Sequence, residues 1–163
     1  MNLKQIEMPK RKRIALIAHD NMKQELLEWT RQHLETLKQH HLYATGTTGH
    51  LLENALKMPI DKLVSGPLGG DQQIGALLTK QEIDIIIFFW DPFEPMPHDP
   101  DVKALLRVAA VWNVAVACSR SSADFLLSSP LMNQTHQYNV PDYDSYLQQR
   151  LQDQHTQSTD ESP

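Results

Sequence analysis

The sequence predicts a single α/β domain built around a mostly parallel β-sheet. Short apolar runs of the kind that parallel sheets bury on both faces recur along the chain, Arg13–Ala18 and Glu82–Trp90 above all. Segments with apolar residues at helical spacing separate them, giving the strand–helix alternation of a parallel sheet. The strand ends carry glycine, threonine, histidine and aspartate, and in open α/β sheets ligands bind beyond the carboxyl ends of the strands.

Residues 1–12 are polar and are expected to be loosely held. Arg13–Ala18 is the first strand and ends in His19-Asp20. Asp20 is a suitable N-cap for one following helix, in which Met22, Leu26, Trp29, Leu34 and Leu37 recur at roughly helical spacing. Lys23 falls in the first turn of that helix, from where it can point back over the strand end. His40–Ala44 is a second strand, followed by the turn Thr45-Gly46-Thr47-Thr48-Gly49 and a helix that Met58-Pro59 closes. Lys62–Val64 is the third strand, Gln72–Lys80 the next helix, and Glu82–Trp90 a strand rich in β-branched and aromatic residues.

Pro92, Pro95, Pro97 and Pro100 fix the path of the loop that follows. Asp99-Pro100-Asp101 opens a helix with proline in the first turn, where it is favoured, and Val102, Leu105, Leu106 and Ala109 give its apolar face. Val114–Cys118 is a fifth strand, with Cys118 expected to be buried and inert. Residues 123–127 form a short helix, Gln137–Val140 a last strand, and Pro141–Leu151 a final helix. The folded domain is thus expected over residues 1–151. Residues 152–163 contain no apolar side chain and are predicted to be a disordered polar tail.

Bulk properties exclude several functions. The 163 residues suit one domain with a substantial core, and 40% hydrophobic with 21% charged residues is ordinary for a globular protein. A net charge of −5 offers no basic surface for nucleic acid. The longest apolar run, Ile85–Trp90, is too short to span a bilayer, and the charged N-terminal residues carry no signal-peptide apolar region. A lone cysteine rules out an internal disulfide and fits a reducing compartment, so a cytoplasmic protein is expected.

The stretch Ser65-Gly66-Pro67-Leu68-Gly69-Gly70-Asp71 organises the rest. It joins an apolar run to a helix, and its glycines permit positive φ and close backbone approach to a ligand. Asp71, where the helix begins, is a preferred N-cap. It is also placed to take a proton from a carbon beside a carbonyl. The Thr45–Gly49 turn offers hydroxyls and exposed N–H groups at a helix N-terminus, a natural anion site. Taken alone it is a threonine-capped helix; with the second glycine turn at Ser65-Gly66 and Lys23 nearby, it becomes a phosphate site. It is neither a Walker A loop nor G-x-G-x-x-G, so neither ATP nor NAD is expected.

His98 is placed to polarise a carbonyl or move a proton between two oxygens, Asp101 to hold its ring, and His19 to bind a substrate oxygen. A lone loop histidine is more often solvated or structural. His98, Asp99, Asp101 and Asp91 form a rival set of hard metal ligands, but at no standard spacing, so no metal is expected.

Five blocks carry a family resemblance: Ala18-His19-Asp20, Tyr43–Gly49, Ser65–Gln73, Phe88-Phe89-Trp90-Asp91-Pro92, and Pro97-His98-Asp99-Pro100-Asp101-Val102-Lys103-Ala104-Leu105. Over about residues 13–150 the chain resembles methylglyoxal synthase. That resemblance implies a Rossmann-like three-layer sandwich and the conversion of dihydroxyacetone phosphate to methylglyoxal and inorganic phosphate, with no cofactor. Residue by residue it implies Asp71 as catalytic base and His98 as proton shuttle, with Asp101 and Asp20 as supporting acids. It further implies substrate and phosphate contacts from His19, Lys23, Thr45, Gly46, Thr47, Thr48, Ser65, Gly66 and His98. It also implies a homohexamer, inhibition by phosphate, and an Arg150 that reaches a neighbouring subunit's site. Ser119-Arg120-Ser121-Ser122 departs from the family pattern. Two alternatives stand beside the enzyme. A regulatory module binding a phosphorylated or anionic effector, like the allosteric domain of carbamoyl-phosphate synthetase, would need the phosphate loops but neither Asp71 nor His98. The other is a metal-dependent phosphatase.

Overall fold

The computed structural model describes residues 2–94 and 99–160; His98 lies outside the described residues. Seven strands follow in chain order: Leu3–Met8 (β1), Arg13–Ala18 (β2), His41–Thr45 (β3), Asp61–Leu63 (β4), Ile85–Phe89 (β5), Ala115–Ala117 (β6) and His136–Pro141 (β7). The helices are Lys23–Gln32 (α1), Leu34–Leu37 (α2), Gly46–Leu56 (α3), Gly70–Thr79 (α4), Asp99–Val111 (α5), Arg120–Ser128 (α6) and Tyr143–Asp160 (α7).

The main sheet has five strands in the order β4-β3-β2-β5-β6, and every pairing in it is parallel. The chain builds outward from β2 to β4, then returns to the other side of β2 for β5 and β6. Strand order therefore reverses between β2 and β5, which opens a crevice beyond their carboxyl ends.

The central strands are buried on both faces, as their continuous apolar runs require. Ile14, Leu16, Ala18, Ile85, Ile87 and Phe89 point to one face, where Leu26 and Trp29 of α1, Leu52 of α3 and Leu127 of α6 cover them. Ala15, Ile17, Ile86 and Phe88 point to the other, under Ile74 and Leu78 of α4 and Val102 and Leu105 of α5. This is the expected three-layer sandwich. The indole N–H of Trp29 donates to Asp124 at 2.8 Å, which satisfies the one polar atom of a fully buried ring and joins α1 to α6.

Two local expectations are corrected. Residues 3–8 are not loosely held: β1 pairs antiparallel with β7 in a separate two-stranded sheet, in register from Leu3↔Pro141 to Met8↔His136. The alternation in Gln5-Ile6-Glu7-Met8 is a strand pattern whose partner lies about 130 residues away, so nothing local reveals it. The first long helix is broken at His33 (φ −104°, ψ 16°) into α1 and α2, and a 3-10 turn at Asp20–Met22 precedes it. Separately, α7 runs on past Leu151 to Asp160; no glycine or proline interrupts it there. Cys118 lies just past β6 and is half-buried rather than buried, with its thiol pKa raised by desolvation.

The Ser119–Ser122 departure has a structural account. Ser119 is the N-cap of α6, its hydroxyl accepting from the Ser122 N–H at 3.3 Å while the Ser122 hydroxyl accepts from the Ser119 N–H at 3.1 Å. This reciprocal pair forms a capping box with serine in place of the usual glutamate.

Candidate active site

The crevice at the β2–β5 switch is built from five chain segments. His19 follows β2 directly. Its backbone N–H donates to the Phe89 carbonyl at 3.2 Å, which extends the ladder by one bond. The Asp91 backbone N–H donates to His19 Nδ1 at 3.3 Å, and the ring stands edge-on to Phe88 with centroids 5.1 Å apart. A neutral imidazole that accepts at Nδ1 carries its proton on Nε2, and this ring is buried.

Lys23, in the first turn of α1, donates to Asp20 Oδ1 at 2.5 Å and to Thr47 Oγ1 at 2.6 Å. Its ammonium thus bridges the end of β2 and the start of α3. The N-cap position of α1 falls on Met22 and not on Asp20, whose carboxylate holds the lysine in place.

The Thr45–Gly49 segment is not a loop before a helix but the N-terminus of α3 itself. Thr45 is its N-cap residue, yet its side chain makes no capping bond. Simple capping therefore does not explain this cluster. Thr45 and Thr48 are buried, so their hydroxyls can act only on the interior or on something bound there.

Gly46 has φ +25°, and a Cβ there would fall 2.1 Å from Ser65 Oγ and 2.8 Å from Ser65 Cα. The turn after β3 thus lies directly on the turn after β4. Gly70 makes the second close approach: a Cβ on it would meet the Val64 carbonyl at 2.2 Å. The Gln73 side chain accepts from the Val64 N–H at 2.8 Å and locks this crossing. Gly69, not Asp71, is the N-cap of α4. Asp71 is its second residue and is only 4% exposed, so capping is not its role either.

These segments enclose a cavity of about 240 Å³. His19, Asp20 and Lys23 line one side, Thr45, Thr47 and Thr48 another, and Ser65, Gly66 and Asp71 a third, over a floor of Ile17 and Phe88. Seven predicted contacts, the supporting acid Asp20 and the predicted base thus meet in one place. The cavity holds a buried carboxylate opposite hydroxyls, a lysine and two helix N-termini that favour an anion. Such an arrangement suits proton transfer on a molecule that carries a phosphate.

Other predicted residues stand elsewhere. Gly46 does not line the cavity; it lets Ser65 approach. Asp101 lines a neighbouring groove between α4 and α5, which Asp71 also borders. Arg150, on the exposed side of α7, lies over the Tyr146 ring, 5.8 Å from its centroid. Asp91 accepts from the Phe93 N–H at 2.9 Å and from Asn21, and these bonds hold its pKa below the usual carboxylate range. Among the described residues no group of three or more His, Cys, Asp and Glu is placed to hold a metal ion.

The sequence reading missed Asn21, whose amide donates to Asp91 at 3.1 Å and also to Glu94, anchoring the proline-rich loop beside the cavity. Its position next to His19-Asp20, at the same sheet edge, was the available signal. Ile17 and Phe88 were read only as strand residues; their place on the floor follows from strand alternation.

A family model described as an MGS-like domain matches residues 25–118. The chain is 58% identical over 152 residues to a methylglyoxal synthase of Cellvibrio japonicus, covering 93% of this chain and 99% of that protein. It is 60% identical over 143 residues to a methylglyoxal synthase of Saccharophagus degradans, covering 88% and 93%. The crystal structure of methylglyoxal synthase from Elizabethkingia anophelis superposes with a TM-score of 0.82 at 51% identity, covering 88% of this chain and 95% of that one. With its cavity at the strand-order switch and relatives this similar over nearly their whole length, the chain belongs to the methylglyoxal synthase family.

Proposed function

We propose that the protein converts dihydroxyacetone phosphate to methylglyoxal and inorganic phosphate, with Asp71 as the base. The observation that carries this reading is the buried Asp71 carboxylate in the same cavity as Lys23, the threonine cluster and Ser65. A site that only held an anion would have no use for a second negative charge in its wall, because that charge opposes binding. A base, by contrast, has to be there.

In this mechanism the phosphate group lies against the N-terminus of α3 and the Ser65-Gly66 turn, where backbone N–H groups and hydroxyls receive it. Asp71 removes a proton from the hydroxymethyl carbon, and the electron pair moves onto the carbonyl oxygen. His19 donates from Nε2 to an oxygen of the resulting enediolate. His98, which precedes α5 in the sequence, moves a proton between the two oxygens. The C–O bond to phosphate then breaks, provided that it stands out of the enediolate plane so that its σ* orbital meets the π system. Phosphate departs with the electron pair and the enol left behind takes a proton on carbon to give methylglyoxal. The threonine cluster and Ser65 fix the torsion and stabilise the developing charge on phosphate.

The same reading makes the protein a cytoplasmic homohexamer that is inhibited by its own phosphate product and requires no cofactor. Arg150 is then a residue that serves a neighbouring subunit: it is exposed on α7 and does not line the cavity of its own chain. Asp20 and Asp101 are supporting acids, the first by holding Lys23.

Purified, EDTA-treated protein incubated with dihydroxyacetone phosphate tests the assignment when phosphate and methylglyoxal are followed together. Equimolar release of both, well above the uncatalysed background, is the expected result. Phosphate accompanied by dihydroxyacetone would mark a phosphatase, and binding without turnover would mark an effector-binding module.

A further inference from the structure

At the opposite edge of the sheet, the residues that precede β2 and β3 form a second polar recess. Lys10, Arg11, Gln39, His40 and Asn133 line a cavity of about 190 Å³ there. Four of the five are exposed; His40 is only 3% exposed. None of the five is acidic, although the chain as a whole carries a net charge of −5.

His40 is the unusual member. The Lys12 backbone N–H donates to its Nδ1 at 3.2 Å, so the neutral ring carries its proton on Nε2. That Nε2 is buried and has no hydrogen-bond partner among the described residues. A buried donor left unmatched costs about 1–3 kcal/mol and is rare in native proteins, so it calls for a ligand or an ordered water. Burial lowers the proton affinity of the ring, and the charges of Lys12 and Arg11 lower it further; the ring therefore stays neutral in a locally positive field.

We propose that this recess binds a small phosphate-type oxyanion, separate from the substrate. Arg11 and Lys10 balance its charge, the Gln39 and Asn133 amides donate to it, and the Nε2–H of His40 bonds to one of its oxygens. Two cations and three neutral donors suit a compact dianion with several acceptor oxygens better than a carboxylate, which has only two. The cations and amides all sit on exposed side chains, which rearrange to close over an anion and bring it to the covered ring. The volume leaves room for free phosphate or for the phosphate of a small ester.

Titration of the full-length protein with inorganic phosphate, at constant ionic strength maintained with chloride, tests this through the side-chain 15N and 1H resonances of His40. The expected result is a saturable shift of the His40 signals that chloride alone does not produce. Arg11→Gln should weaken that binding about tenfold, the loss of one charge-assisted contact, while turnover stays unchanged. Lys10→Gln gives a second, independent reading of the same kind. Repeating the titration with glycerol phosphate separates the sources: tighter binding than inorganic phosphate assigns the recess to esters, and equal or weaker binding to the free ion. His40 signals that stay fixed while His19 signals titrate, or an affinity at His40 that neither variant changes, would overturn the proposal.

Discussion

The backbone N–H of Asp91 donates to Nδ1 of His19, and this one 3.3 Å bond ties together the ends of the two strands between which the sheet order reverses. It fixes the tautomer of His19 and also the start of the loop that runs toward His98. His19→Asn keeps an acceptor near the Nδ1 position but loses the Nε2–H donor. His19→Gln keeps an amide N–H near the Nε2 position and loses the acceptor. If the ring serves the substrate through Nε2, the asparagine variant should raise KM about tenfold, the worth of one good hydrogen bond. The glutamine variant should fall between it and the wild type. Steady-state kinetics of the two variants decide the matter; equal KM values in both would remove the donor role.

Asp71→Asn keeps the size of the side chain and removes its basicity. Loss of a positioned general base typically costs about 10²–10⁴-fold in rate. Turnover should fall by that amount while phosphate and substrate still bind, or bind more tightly, because a negative charge has left the cavity wall. Near-normal kcat in the variant would end the assignment, whatever happened to KM.

Much of this site was legible in the sequence because its residues sit at strand ends. Once Arg13–Ala18, His40–Ala44, Lys62–Val64 and Glu82–Trp90 are read as parallel strands, His19, Thr45, Ser65 and Asp91 must fall on one edge. The spacing between those segments could not show which residues face the cavity. Gly46 is expected as a ligand contact, and its close approach to Ser65 is illegible in the sequence because only the fold brings the two together. Asp71 seemed a possible N-cap, and a positive φ at Gly69 moves the cap two residues earlier. The β1–β7 pairing is illegible for a different reason: a lone pair of edge strands has no repeating sequence signal, and its partners are separated by nearly the whole chain.

Three glycines should respond to alanine with different signs. Gly46→Ala places a methyl on Ser65 at a φ of +25°, and Gly70→Ala places one on the Val64 carbonyl. Gly46→Ala should lower stability by at least about 1–2 kcal/mol, roughly the cost of an unfavourable backbone alone, and should spoil substrate binding because it pushes apart the two turns that form the phosphate wall; Gly70→Ala should also lower stability and spoil binding, through its clash with the Val64 carbonyl inside the turn after β4. Gly75 lies within α4, where a Cβ meets nothing within 4 Å, so Gly75→Ala should be neutral or stabilise the protein by about 0.5–1 kcal/mol. Urea denaturation and substrate KM measured together separate the cases. A Gly46→Ala protein with unchanged KM would show that the two turns need not touch for the site to work.

The burial of His40 makes a prediction about pH that also bears on the anion recess. Its pKa in the folded protein is lowered by desolvation first, then by Lys12 and Arg11, with Lys10 also lining the recess, whereas in the unfolded chain the ring titrates near the ordinary value of about 6.5. Above that pH both states are neutral and His40 makes no pH-dependent difference. As pH falls through 6.5 the unfolded chain takes up a proton that the folded ring refuses, so stability declines, by at most about 1.4 kcal/mol per pH unit for one proton, until the folded ring is also protonated. Protonation of Nδ1 would in addition break its bond with the Lys12 N–H. Urea midpoints from pH 8 to 5 in chloride buffer should therefore fall more steeply for the wild type than for His40→Asn, which offers an acceptor in place of Nδ1 but cannot titrate. Parallel curves would mean that the folded ring titrates normally. If a phosphate-type anion occupies the recess, it stabilises the protonated ring and raises the folded pKa, so adding phosphate should flatten the wild-type curve toward that of the variant and leave the variant's own slope unchanged.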